Sequence, residues 1–156
     1  MAYLSNSERA DGCIFCEAAA ANDDEARLIV HRDARAFVLL NRYPYNNGHL
    51  LVVPYRHVPS LEDLDDATLT DLMLLSKQSL AVLRAVYQPQ GYNMGVNIGP
   101  AAGAGVADHV HLHVLPRWGG DTNFMTAIAD ARVIPEDLGV TWRRLFEAWA
   151  QPPPSE

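Results

Sequence analysis

The chain has 156 residues and a formal net charge of −7, and 49% of its residues are hydrophobic. That length suggests one domain with one buried core. The acidic balance excludes a protein that binds nucleic acid or an anionic membrane surface without specificity, because either needs a basic face. No apolar run reaches the length of a membrane span.

The N-terminus shows no basic segment followed by an apolar one, so no signal peptide is expected, and a cytoplasmic location is. Residues 1–12 are expected to be mobile, as is the Pro-rich tail over 151–156, which leaves a single domain over 13–150. Cys13 and Cys16 stand together in "CIFC". In a reducing compartment this spacing points to metal or redox chemistry, or to two buried, reduced thiols, rather than to a structural disulfide.

"ARLIVHRD" and "RAFVLLNRYP" read as two strands joined by a tight turn near Asp33. "GHLLVVPYRH" is a third strand, continuous enough to be buried on both faces, and Pro54 ends or bends it. From Ser60 onward apolar residues recur three and four apart, as on an amphipathic helix. Asp66 is the expected N-cap of its main part, and "PQG" at 89–91 stops it. "YNMGVNIG" and "HVHLHVLPRW" are a fourth and a fifth strand, and "IPEDLGVTWRRLFEAWA" is a C-terminal helix. The order predicts an α+β fold: a mainly antiparallel five-stranded sheet with one long helix and a C-terminal helix.

The segment "HVHLHV" places His109, His111 and His113 on one face of a strand and sends Val110, Leu112 and Val114 into the core. One reading is a polar strand surface. A second, one metal held by all three, fails on distance: at about 3.3 Å per residue the outer two stand roughly 13 Å apart, whereas Zn–N bonds are about 2.0–2.1 Å. One of the three could still join ligands from elsewhere. A third reading is an imidazole nucleophile. Such a ring needs its far nitrogen protonated and held by an acceptor, so that the near nitrogen carries the lone pair. The middle position, His111, has support on both sides.

These residues resemble the histidine triad superfamily. "HVHLHVL" fits its pattern of alternating histidines. "NRYPYNNGHLLVVPYRHV" and "NMGVNIGPAAGAGVADHVHLHVLPRW" look like its ribose-contact segment and its loop and catalytic strand. Over about residues 13–126 the chain is most similar to bacterial diadenosine tetraphosphate phosphorylases and to the fragile-histidine-triad dinucleoside polyphosphate hydrolases.

The resemblance implies a nucleotidyl transferase or hydrolase that acts on the α-phosphate of adenine nucleotides through a nucleotidyl-His111 intermediate. His113 and His49 would lie around the phosphates. Asn41 would hold the ribose hydroxyls while also starting its turn. Asn97 and Gly105 would lie near ribose or phosphate, Leu39 and Phe37 near the base or in the core, and Trp118 at the site or at an interface. Phosphorolysis of diadenosine tetraphosphate is the leading activity. Hydrolysis of dinucleoside polyphosphates or of adenosine phosphoramidates is an alternative, and so is a nucleotide-binding regulatory protein with little turnover.

The resemblance also implies a structural zinc on Cys13, Cys16, His57 and His109, magnesium carried by the polyphosphate, and a homodimer. One departure is visible. Ala104, Gly105 and Val106 stand where many members carry polar residues before the triad, which bears on the choice of leaving group.

Overall fold

The computed structural model describes residues 12–121 and 136–151. Residues 1–11 and 152–156, for which mobility is expected, lie outside the described residues.

In chain order the elements are α1 (Ile14–Ala20), α2 (Asp24–Arg27), β1 (Ile29–Arg32), β2 (Ala36–Leu40), β3 (Leu50–Pro54), α3 (Asp66–Tyr87), β4 (Gly91–Val96), β5 (Leu112–Arg117) and α4 (Leu138–Ala150). The strands form one sheet in the order β1-β2-β3-β5-β4, and every neighbouring pair is antiparallel. The α+β architecture expected from sequence is the one observed, and β3 is buried throughout and ends at Pro54.

The side-chain alternation of the strands divides the core in two. Val38 and Leu40 on β2, Leu50 and Val52 on β3, and Leu112 and Val114 on β5 face Leu72, Leu75, Leu83 and Leu145 of α3 and α4. Burying each such side chain stabilises the fold by about 1.5–3 kcal/mol. Trp142 anchors α4, donating its indole N–H to Ile29 O at 2.8 Å. Phe37 and Leu39, with Leu51 and Val53, point the other way and pack with Cys13, Phe15, Cys16 and Ala18 of the N-terminal segment. The histidines of "HVHLHV" therefore lie on the side away from the long helix, with His109 and His111 against Phe15 of α1.

Two corrections to the sequence reading concern α3. Its N-cap is Asp65, not Asp66: the Asp65 carboxylate accepts from Thr68 N at 2.8 Å and Asp66 is the first helical residue. The "LED" stretch before it forms a separate 3-10 turn (Leu61–Asp63) and not a first turn of the helix. The helix stops as expected before "PQG", with Gln88 in the left-handed region.

Candidate functional site

The ladder of β5 begins at Leu112, so His109 and His111 lie just ahead of it. Extended backbone still carries the alternation, because Val110 N donates to Val58 O at 2.8 Å and Val110 is 1% exposed. Each histidine consequently enters a different environment.

His109 meets the cysteines. Its Nδ1 lies 3.3 Å from Cys13 Sγ, 3.7 Å from Cys16 Sγ and 3.2 Å from His57 Nδ1, and Cys16 Sγ lies 3.5 Å from His57 Nδ1. All four ligand atoms lie within 4.8 Å of one another. A tetrahedral zinc with Zn–N about 2.05 Å and Zn–S about 2.3 Å has donor–donor edges of roughly 3.3–3.8 Å, so the spacing fits one ion. The second nitrogen of His109 supports the fit. Its Nε2 donates to Pro54 O at 2.8 Å, which leaves Nδ1 as the lone-pair nitrogen facing the thiols. Both cysteines are buried. The four residues predicted as metal ligands are thus brought together and could hold a metal.

The same segment walls a cavity of about 710 Å³. Cys13 caps α1, and Phe15, between the two cysteines, sets its ring 4.9 Å from that of His111 and 5.4 Å from that of His109. Leu39, Asn41, Asn97, Gly105, His111 and His113 all line the cavity. His111 Nδ1 lies 2.9 Å from His109 O. A carbonyl only accepts, so Nδ1 carries the hydrogen and Nε2 the lone pair.

His113 is backed by His49. The His49 Nε2 to His113 Nδ1 distance is 2.9 Å, and His49 is fully buried. Tyr45 N donates to His49 Nδ1 at 3.3 Å, and Asn41 Nδ2 lies 3.3 Å from the same nitrogen. Asn41 Oδ1 accepts from Tyr43 N at 3.0 Å, so Asn41 both builds its turn and touches the histidine relay. Burial pushes the His49, His109 and His113 imidazoles down to about 4 and His111 below its ordinary value.

A latch ties this turn to the end of β5. Asp121 accepts from Arg117 Nε at 2.6 Å and Nη2 at 2.7 Å, and from Asn46 Nδ2 at 2.8 Å. Gly99 and Gly103 take positive φ (82° and 79°) around a short 3-10 turn, and this bends the loop so that Gly103 and Gly105 reach the cavity.

Two residues fall elsewhere. Phe37 is fully buried in the core, stacked with Tyr55 at 5.3 Å, and does not line the cavity. Trp118 stands edge-on to Tyr87, 6.3 Å away, and is not among the residues lining the cavity.

The sequence reading missed the α1 wall (Ile14, Phe15, Glu17, Ala18) and the exposed Tyr43 and Tyr45 at the cavity. It also missed Arg27 and Arg42, the cationic side chains of the lining. The signal for α1 was present in "CIFC", since a residue between two ligands of one ion must lie close to the site.

An antiparallel sheet that presents spaced histidines to a cavity beside a buried Cys/His cluster defines a histidine triad protein. Residues 22–120 match the HIT domain model, and the chain belongs to that family. It is 45% identical over 148 residues to the AP-4-A phosphorylase of Mycobacterium tuberculosis, covering 95% of this chain and 75% of that one. It is 40% identical over 93 residues to the nitrilase and fragile histidine triad fusion protein of Caenorhabditis elegans, covering 60% of this chain and 21% of that protein. Among solved structures it is similar to a Zn-bound histidine triad family protein from Mycobacterium smegmatis, with a TM-score of 0.71 and 28% identity, over 90% of this chain and 94% of that one.

Proposed function

We propose that this chain is a nucleotidyl transferase that cleaves dinucleoside polyphosphates, diadenosine tetraphosphate foremost, with inorganic phosphate as acceptor and ATP and ADP as products. The observation that carries the mechanism is the hydrogen bond from His111 Nδ1 to His109 O. It commits Nε2 as the nucleophilic nitrogen before substrate arrives. The 45% identity to a relative named AP-4-A phosphorylase supports the choice of substrate.

In the first step His111 Nε2 bonds to the α-phosphorus, and the bridging P–O bond breaks with its electron pair on the departing polyphosphate. In the second an oxygen of phosphate attacks, the P–N bond breaks, and its pair returns to Nε2. His113 and the backbone N–H groups beside Gly103 and Gly105 donate hydrogen bonds to the phosphoryl oxygens as charge shifts. Asn41 Oδ1 keeps a lone pair for a ribose hydroxyl. Arg27 and Arg42 bring positive charge to the cavity of an acidic protein, which favours an anionic substrate. Magnesium would arrive with the polyphosphate.

Zinc on Cys13, Cys16, His57 and His109 would be structural, holding α1 and its Phe15 against His111. Two buried cysteines kept as thiols in such a cluster suit a reducing compartment such as the cytoplasm. Among the described residues no helix is long and apolar enough to cross a membrane. A homodimer is supported by the position of β4 at the sheet edge among the described residues, by exposed Met94 on it and Ile98 after it, and by exposed Met73 and Leu74 on α3.

The test is incubation of diadenosine tetraphosphate with the purified protein, with and without phosphate, and separation of the products. ATP plus ADP formed only with phosphate is the expected result. ATP plus AMP without phosphate would make water the acceptor, and absence of turnover would leave only a binding role.

A further inference from the structure

Strict alternation along β1 would put Arg32 on the same face as Val30, which packs in the core beneath α3 and α4. The strand does not alternate strictly. Ile29 pairs with Leu39 and His31 with Val38, so β1 carries one residue more than β2 between these two pairs. Such a bulge re-aims the side chains that follow it. His31 turns toward α4 and stacks on Trp149, 5.1 Å away. Arg32 pairs with Phe37 and shares its face, the one that packs against α1.

There Arg32 takes hold of the end of α1. Its Nη1 donates to Ala19 O at 2.8 Å, and its Nη2 to Ala21 O at 3.0 Å and Ala18 O at 3.3 Å. Nε and Nη2 also donate to Asp24 Oδ1, at 3.0 and 2.8 Å. The last carbonyls of a helix have no partner within it, so the guanidinium supplies what the helix itself cannot. A helix of seven residues is not stable in isolation. Among the described residues no side chain caps its start, and its last turn holds no basic residue of its own. Asp24 is the first residue of α2, so one side chain joins α1, α2 and β1.

Both short helices wall the cavity. Ile14, Phe15, Glu17 and Ala18 of α1 line it, as do Arg27 and Leu28 at the end of α2. The start of α1 stands by the reacting group, with the Phe15 ring 4.9 Å from that of His111. Ala21 comes six residues later, about 9 Å farther along the axis at 1.5 Å per residue. Arg32 therefore holds the part of the wall away from His111. Arg32 is not itself among the residues lining the cavity.

We infer that Arg32 is a positioning residue for nucleotide binding. It fixes α1 and α2 against the sheet, so that the wall is formed before a nucleotide arrives. A wall left loose must be ordered at each binding event, and affinity falls accordingly. The chemistry at phosphorus is spared, because His111 is oriented separately by His109 O. The inference rests on the reading of the cavity as a nucleotide site.

The experiment compares wild-type protein with Arg32→Ala, Arg32→Gln and Arg32→Lys. Calorimetry gives Kd for AMP, and steady-state assays give KM and kcat for diadenosine tetraphosphate. Arg35→Ala is the control. It removes an ion pair of 2.8 Å to Asp71 and does not line the cavity. Arg32→Ala should raise both Kd and KM by at least about tenfold, the scale of charge-assisted hydrogen bonds. Its kcat should stay within about threefold of wild type. Arg32→Lys should fall between, because one ammonium cannot serve Asp24 and three carbonyls together. Arg35→Ala should leave Kd and KM unchanged.

A purely structural role would lower melting temperature and the active fraction, and with it the apparent kcat, while Kd and KM stayed at wild-type values. That result would overturn the inference. If Arg32→Ala does not fold, Arg32→Gln decides, and wild-type Kd and KM in that variant would overturn it equally. Wild-type protein that neither bound AMP nor turned over the polyphosphate would overturn the nucleotide reading and the inference with it.

Discussion

Gly48 immediately precedes His49, and its surroundings make Gly48→Ala an informative perturbation. The residue has φ +78°, a conformation that costs an L-residue roughly 1–2 kcal/mol. A Cβ built there would lie 2.9 Å from Leu83 Cδ2 and 3.2 Å from Tyr87 Cε2. Both belong to α3, and Leu83 is fully buried, so it cannot swing aside. Overpacking of this kind costs about 1–3 kcal/mol. The entropy that alanine removes from the unfolded chain returns about 0.4–1 kcal/mol. The net expectation is a destabilisation of about 2–4 kcal/mol.

Gly103→Ala provides the control. Gly103 has φ +79° but nothing within 4 Å of its Cβ position, so only the conformational cost, about 1 kcal/mol, should remain. Urea denaturation of both variants, with nucleotide affinity measured in parallel, is the assay. Gly48→Ala should lose at least about 1 kcal/mol more than Gly103→Ala, in keeping with the overpacking range. It should also weaken nucleotide binding, because His49 would be displaced. Equal losses in the two variants would refute the claim that the turn before His49 is held by close contact with α3.

Three further outcomes follow from the geometry. Purified protein should carry about one zinc per chain, the stoichiometry of one four-ligand site. Cys16→Ala or chelation should lower both metal content and melting temperature, as read by elemental analysis and calorimetry. Burial, with His113 and His111 adding to it, lowers His49 to about 4, so the unfolded chain binds more protons than the folded one between about pH 4 and 6.5. Stability from this group is full above pH 6.5 and is lost as pH falls, by up to about 1.4 kcal/mol per pH unit; urea melts at pH 7, 6 and 5 should show less of this slope in His49→Gln. Asp65→Ala should cost about 0.5–2 kcal/mol through loss of the α3 cap, whereas Asp66→Ala should cost less.

The sheet was legible because its strands alternate or run apolar between clear turn residues, and the histidine strand because three imidazoles in register leave few explanations. The metal cluster was legible as a set of residues through resemblance. Its spacing, and the use of His109 Nδ1 with Nε2 on Pro54 O, came only from the fold. α1 was missed because seven residues form no stable helix on their own; packing of Phe15, Cys16 and Ala18 stabilises it. Phe37 was left open between base contact and core because β2 is buried on both faces, and alternation alone cannot tell which face lines a cavity. The cap of α3 slipped by one residue because Asp65 and Asp66 are equivalent as sequence, and only the Thr68 N–H selects between them.

The central claim is that His111 Nε2 takes the nucleotidyl group from a polyphosphate, and trapping that intermediate tests it most directly. Diadenosine tetraphosphate would be mixed with the protein without phosphate, quenched rapidly under conditions that preserve P–N bonds, and analysed by intact mass and by peptide mapping. The account predicts one adenylyl group on the peptide that carries His111, its disappearance on adding phosphate with release of ADP, and no adduct in His111→Ala. An adenylyl group on another residue, or normal turnover by His111→Ala, would contradict it.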